Sequence, residues 1–119
     1  MTTLADTRDA LTGALRAVAA LSVTPHEPAT LAPLAAWPVF ESRDYETPSV
    51  WSETWSVYVA LNATDLGSAI EAMEALMSAV ADALNAVTLA AVLRVEARQL
   101  IVSDRTGGVP AIMFTVQIG

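Results

Sequence analysis

From Trp51 to Ile118 the hydrophobic period changes twice, from two residues to about 3.6 and back to two, and this restricts the second half of the chain to strand, helix and hairpin. Trp51, Glu53, Trp55, Val57, Val59 and Leu61 share one face of a strand, and Ser52, Thr54, Ser56, Tyr58 and Ala60 share the other. Asp65–Leu84 then repeats as a helix, with Ile70, Met73, Met77, Val80 and Leu84 in its stripe and Leu66, Ala69 and Leu76 widening it. Thr64 or Asp65 suits its cap. Leu89–Val102 and Val109–Ile118 alternate again around Asp104-Arg105-Thr106-Gly107-Gly108, a turn whose glycines supply positive φ. Leu93, Val95 and Ala97 face one way and Arg94, Glu96 and Arg98 the other. Closure at Arg105–Gly108 is expected to pair Val95 with Val116 and Ala97 with Phe114.

Upstream the signals are shorter. Thr3–Leu21 reads as a helix with Leu4, Leu11, Leu15, Val18 and Leu21 on one stripe, Thr2 or Thr3 as cap, and Asp6 and Asp9 at the positive end of its dipole. Pro25, Pro28 and Pro33 make residues 22–33 a connector. Leu34–Glu41 is a short strand that Pro38 restricts to an edge or a strand end. The polar stretch 42–49 is expected to be a loop, and loops of that length often carry contacts to a partner. The expected architecture is a single α+β domain over residues 1–119. It has an N-terminal helix (1–21), the connector, and a core (34–119) in the order α-β-β-α-β-β, with a mostly antiparallel four-stranded sheet and helices packed on one face.

Composition narrows the function. Of 119 residues 54% are hydrophobic and 16% charged, a surplus of apolar surface that small domains usually hide against other copies. Net charge is −7 and all six basic residues are scattered arginines, so a phosphate-gripping surface is not expected. There is no cysteine, hence no disulfide or thiolate metal site. Asp6, Arg8 and Asp9 argue against a signal peptide, and prolines and charges break the one long apolar stretch, so no membrane partner is expected.

Chemistry is sparse. His26, the one histidine, stands between Pro25 and Glu27 and reads as a solvated loop residue rather than a general base. Glu71 and Glu74 lie one turn apart on a helix and lack the third ligand a cation site needs. Asp104 precedes two glycines but has neither the repeated acids of a calcium loop nor the Lys-Ser/Thr of a phosphate loop. No catalytic, cofactor or metal residue is assigned, and an enzyme is not expected. The aromatic residues of 37–58 invite an interface reading, above all Trp51, for which core and interface both stay open. Arg43, Asp44, Tyr45 and Glu46 with Trp51 are the candidate contact residues of the loop. Arg94, Glu96 and Arg98 are either a solvated sheet face or salt bridges between subunits.

Together the early helix, the Pro-rich link into Ala36-Trp37-Pro38-Val39, the strand Trp55-Ser56-Val57-Tyr58-Val59, the helix Asp65–Leu84 and the ending Gly107-Gly108-Val109-Pro110-Ala111-Ile112-Met113-Phe114-Thr115-Val116 resemble the tail terminator (tail-completion) proteins of long-tailed bacteriophages. The resemblance spans most of the chain. It implies a virion protein, made in the host cytoplasm, that forms a ring, commonly of six copies, which stops tail-tube growth and joins the tail to the head connector. The partners implied are other copies, the tail tube protein and the head-completion protein, with DNA passing nearby unheld. Glu46, Glu96 and Asp104 would then face the lumen, where a negative wall does not grip phosphates. Other head-tail completion or minor tail proteins, or a dimeric α+β ligand-binding or regulatory module, are the alternatives.

Overall fold

The structure is a computed structural model that describes residues 3–28, 34–61, 66–100 and 109–119, and, for 66–73 and 75, the helical backbone alone. Its elements are α1 (Leu4–Arg16), β1 (Ser22–Val23), β2 (Ala35–Thr47), β3 (Val50–Ala60), α2 (Leu66–Asn85), β4 (Ala90–Leu100) and β5 (Val109–Ile118). The strands form one mixed sheet in the order β1-β2-β3-β5-β4. The four-stranded, mostly antiparallel sheet expected from sequence is therefore corrected to an α+β fold with, among the described residues, two helices and a five-stranded mixed sheet.

The extra strand is β1, which pairs parallel to the start of β2 through Ser22↔Ala35 and Val23↔Ala36. Ser22 N–H donates to the Leu34 carbonyl at 2.9 Å and Thr24 N–H to the Ala36 carbonyl at 3.0 Å. Two residues are too few to show a period, so the segment read as a connector up to its prolines. All other pairings are antiparallel. Strands β3 and β4 consequently run parallel with β5 between them, and α2 is the crossover that joins them.

The second correction is the loop. Residues 42–47 continue β2, and only Pro48-Ser49 turn the chain before β3. Thr47 pairs with Val50, whose N–H donates to the Thr47 hydroxyl at 3.1 Å. Pro48 fixes φ at the first corner of this turn. Two bulges, at Glu41 and Glu46, shift the register and bend the strand. The polar run misled because the outer half of the hairpin has no sheet beneath it. The last rung joining β3 to β5 is Glu53↔Ile118, so residues beyond it pair only with each other as a two-stranded ribbon.

Helix α1 begins on a capping box: Asp6 N–H donates to the Thr3 hydroxyl and Thr3 N–H donates to the Asp6 carboxylate, each at 3.1 Å. It ends at Arg16, five residues before the expected Leu21 (21 − 16 = 5), yet Val18 and Leu21 still pack on the core from the turn that follows. Both helices cover one sheet face. Leu11 and Leu15 of α1 and Val80 and Leu84 of α2 meet Trp55, Val57, Val59, Ile112, Phe114 and Val116 in one buried cluster. Asn85 closes α2 onto the sheet, its side-chain oxygen accepting from Val92 N–H at 2.9 Å. The side chains of Ile70, Met73, Leu66, Ala69 and Glu71, the cap at Thr64–Asp65, and the turn at Asp104–Gly108 lie outside the described residues.

The β4–β5 register differs from expectation by two residues. Val95 pairs with Phe114 and Ala97 with Ile112. A slip of two keeps every side chain on its face, so the apolar rows still coincide. Leu93 is the exception: a bulge between Val92 and Arg94 makes it the extra residue, and Val92 takes the core-facing place.

The opposite sheet face, which carries no helix among the described residues, has a smaller cluster of its own. Ala35, Trp37, Ala60 and Val109 are buried there, with Val39, Tyr58 and Leu100 against them and Trp37 stacked on Tyr58 at 5.7 Å. Part of the apolar surplus is thus absorbed within the chain itself.

Candidate functional site

The ribbon is organised by Glu53. This carboxylate continues the alternation that also buries Trp55, Val57 and Val59, and it is itself only 4% exposed. Both of its oxygens are engaged there. Trp55 Nε1–H donates to Oε1 at 3.1 Å, and Arg43, directly across the hairpin, donates from Nε to Oε2 at 3.0 Å and closes a second bond from Nη2. Arg43 then fixes the two aromatic residues beside it. Its Nη1 donates to the Tyr45 hydroxyl at 3.3 Å, and its guanidinium carbon lies 4.8 Å from the Trp51 ring centre. Tyr45 and Trp51, paired across the strands, have ring centres 5.7 Å apart. The Tyr45 hydroxyl first and the Glu53 carboxylate second hold the Arg43 guanidinium above its ordinary pKa, so the cluster keeps its cation at any accessible pH.

Beneath the ribbon lies a cleft of about 650 Å³ between Trp51 and Glu53, the first turns of α1 at Asp6 and Thr7, and the corner after α2 at Val87–Leu89. Leu89 is unusual: it has φ of +66° and is 74% exposed. A leucine in the left-handed region carries a steric cost of roughly 1–2 kcal/mol. Its carbonyl accepts from Gly119 N–H at 3.1 Å, which ties the corner to the end of β5. Leu89→Gly is expected to raise stability against urea by about 0.5–1 kcal/mol, since the relief of strain outweighs the added unfolded-state entropy and little burial is lost.

The site residues named from sequence fall into two groups. Arg43, Asp44, Tyr45, Glu46 and Trp51 come together on the ribbon, with Asp44 and Glu46 exposed and Glu46 in a bulge. Arg94, Glu96 and Arg98 lie on β4, at the far side of the sheet, on the helix-free face. Glu96 stands between both arginines, 3.2 Å from Arg94 Nη1 and paired with Arg98 Nη2, so this strip is net positive rather than a bare acid. Asp104, the third lumen candidate, lies outside the described residues.

Sequence reasoning missed the role of Glu53: its place on the apolar face of the strand suggests only that the strand runs out into solvent or into a neighbour near its start. The signal was Arg43, which faces it once the turn is centred on Pro48-Ser49. It also missed Leu89, Val50 and Phe40, which join Tyr45 and Leu93 as the large apolar residues left exposed among the described residues. Phe40 meets Trp55 edge-on at 5.5 Å.

Among the described residues no three His, Asp or Glu side chains converge as a metal site, and no helix is long and apolar enough to cross a membrane. No protein-family model matches the chain, and no curated protein matches it.

Proposed function

We propose that the chain is a subunit of a closed homo-oligomeric ring, of the kind that caps a phage tail tube and joins it to the head connector. The observation that carries this reading is the ribbon. A two-stranded arm stiffened by Arg43 and Glu53 shows Tyr45 and Val50 to solvent, at 59% and 51% exposure, with Glu41, Asp44 and Glu46 beside them. An ordered arm with aromatic and acidic residues at its end suits docking on a neighbour, where rigid aromatics lose little entropy on binding. Among the described residues, Ala36–Val39, Trp55–Val59, Leu66–Leu84 and Val109–Val116 of the segments that resemble tail terminators lie in the strands and helix behind this arm. A net charge of −7 suits a channel that DNA slides through without being gripped.

A second reading rests on the cleft. Its volume of about 650 Å³ and its mixed lining of Trp51, Leu89, Asp6 and Glu53 fit a small-molecule site in a dimeric binding module.

Sedimentation velocity and native mass spectrometry across the micromolar to submillimolar range, with and without purified tail tubes, separate the two. The ring reading expects a closed higher oligomer, or a monomer that assembles on tube ends. A chain that stays solitary and ignores tubes overturns it, as does a stable dimer that takes a small ligand in the cleft.

A further inference from the structure

We infer that the subunits join head to tail through their sheets, the free edge of β4 in one copy adding to the free edge of the β2 ribbon in the next. This rests on the ring reading above.

The strand order sets the geometry. Strand β4 pairs only with β5, and β2 beyond Ala36 pairs only with β3, so among the described residues these are two unpaired edges on opposite sides of one sheet. Each presents a row of unused N–H and C=O groups, which is a template for another strand. Three antiparallel pairings separate β2 from β4, so the two run antiparallel to one another. Copies set side by side in the same orientation therefore bring antiparallel edges together, and the sheet continues without turning either copy over. That is a heterologous contact, which closes into a ring when the rotation between copies allows.

Charge selects this pairing over the others. The ribbon edge carries Glu41, Asp44 and Glu46, all exposed and without an ion pair among the described residues, while its one cation, Arg43, is engaged by Glu53. The β4 edge carries Arg94 and Arg98 around the single Glu96. Ribbon against ribbon opposes acids to acids, and β4 against β4 opposes arginines to arginines. Only ribbon against β4 is complementary. The faces also agree. Asp44 pairs with Ser52 and Arg94 with Thr115, each opposite in direction to the core residues beside them, so Asp44 and the two arginines lie on the helix-free side. Bulges bound the junction. Between those at Glu41 and Glu46 only Ser42–Tyr45 is regular, and on β4 the regular run is Arg94–Leu100. The contact is a short one centred on Asp44 in one copy and Arg94–Arg98 in the other.

The test uses the full chain as Asp44→Arg, Arg98→Glu and the double variant, with folding checked by circular dichroism and association by sedimentation velocity. Each single reversal is expected to weaken self-association by at least about tenfold with the fold intact, and the double variant to recover to near the wild-type value. On assembly, hydrogen exchange of the wild type should slow at the amides of residues 42–45 and 94–98. Singles that associate like the wild type, a double that stays as weak as the singles, or unchanged exchange at those amides overturn the junction while leaving the ring reading in place. A wild type that neither self-associates nor binds tube ends overturns both.

Discussion

Phe114→Ala is expected to cost about 4 kcal/mol of folding stability. Phe114 is fully buried on β5, between β3 and β4, and it pairs with Val57 of β3 and Val95 of β4. It belongs to the cluster in which Leu11, Leu15, Val80 and Leu84 cap the sheet. Truncation therefore opens a cavity where α1, α2 and three strands meet, and none of these elements can close it without moving the rest. Domains of this size hold roughly 5–15 kcal/mol, so the variant should be marginal at 25 °C. Urea denaturation should show a lower midpoint with an unchanged slope. Met113→Ala, next along the strand but half-buried on the helix-free face, is the control and should lose no more than about 1–2 kcal/mol. Equal losses at the two positions would mean that the core is not centred where the fold puts it.

That core was legible because period and burial agree. Trp55, Val57 and Val59 alternate in the sequence and are buried together, and Val80 and Leu84 sit one turn apart and are buried with them. The unread parts share a physical cause: periodicity reports burial on one face, and it is silent where no face is covered or both are. The ribbon from Ser42 to Thr47 has no sheet partner beyond β3, so its residues are polar on both sides and look like a loop. Trp37 and Tyr58 are the opposite case. They lie on the helix-free face, where the sequence mixes Ser52, Thr54 and Ser56 with Tyr58 and Ala60 and so shows no apolar row, and they build a second apolar cluster with Ala60 and Val109. Strand β1 is too short for any period and is held by the parallel register at Ala35–Ala36.

The candidate surfaces were legible as residues but not as an arrangement. Arg43 to Glu46 and Trp51 were grouped by their nearness along the chain, and the fold keeps them together. Arg94, Glu96 and Arg98 were grouped by alternation, and the fold places them across the sheet from the first set. Their separation is what gives the sheet two unlike edges. An apolar surplus by itself argues only that something is buried. Because Trp37, Ala60 and Val109 already absorb part of it, the case for assembly shifts from greasy area to unpaired backbone and complementary charge.

Glu53→Ala should cost about 2 kcal/mol and loosen the ribbon without unfolding the sheet. Two groups depend on this carboxylate. The Trp55 indole N–H is buried with Glu53 as its acceptor, and leaving such a donor unsatisfied costs about 1–3 kcal/mol. The Arg43 guanidinium is less affected, since its side chain is 24% exposed and can turn to water. Once turned, it leaves the Trp51 ring and the Tyr45 hydroxyl, so the arm loses the contact that orders its aromatics. Glu53→Gln keeps an acceptor for the indole but sets an amide against the guanidinium, and should lose about half as much. Chemical denaturation of Glu53→Ala, Trp55→Phe and the pair gives the coupling, expected at about 1–2 kcal/mol. Amides of residues 43–47 should exchange faster in Glu53→Ala while those of 55–59 keep their relative protection. Coupling near zero would mean that the carboxylate and the indole act independently, and that the ribbon is held by its backbone rungs alone.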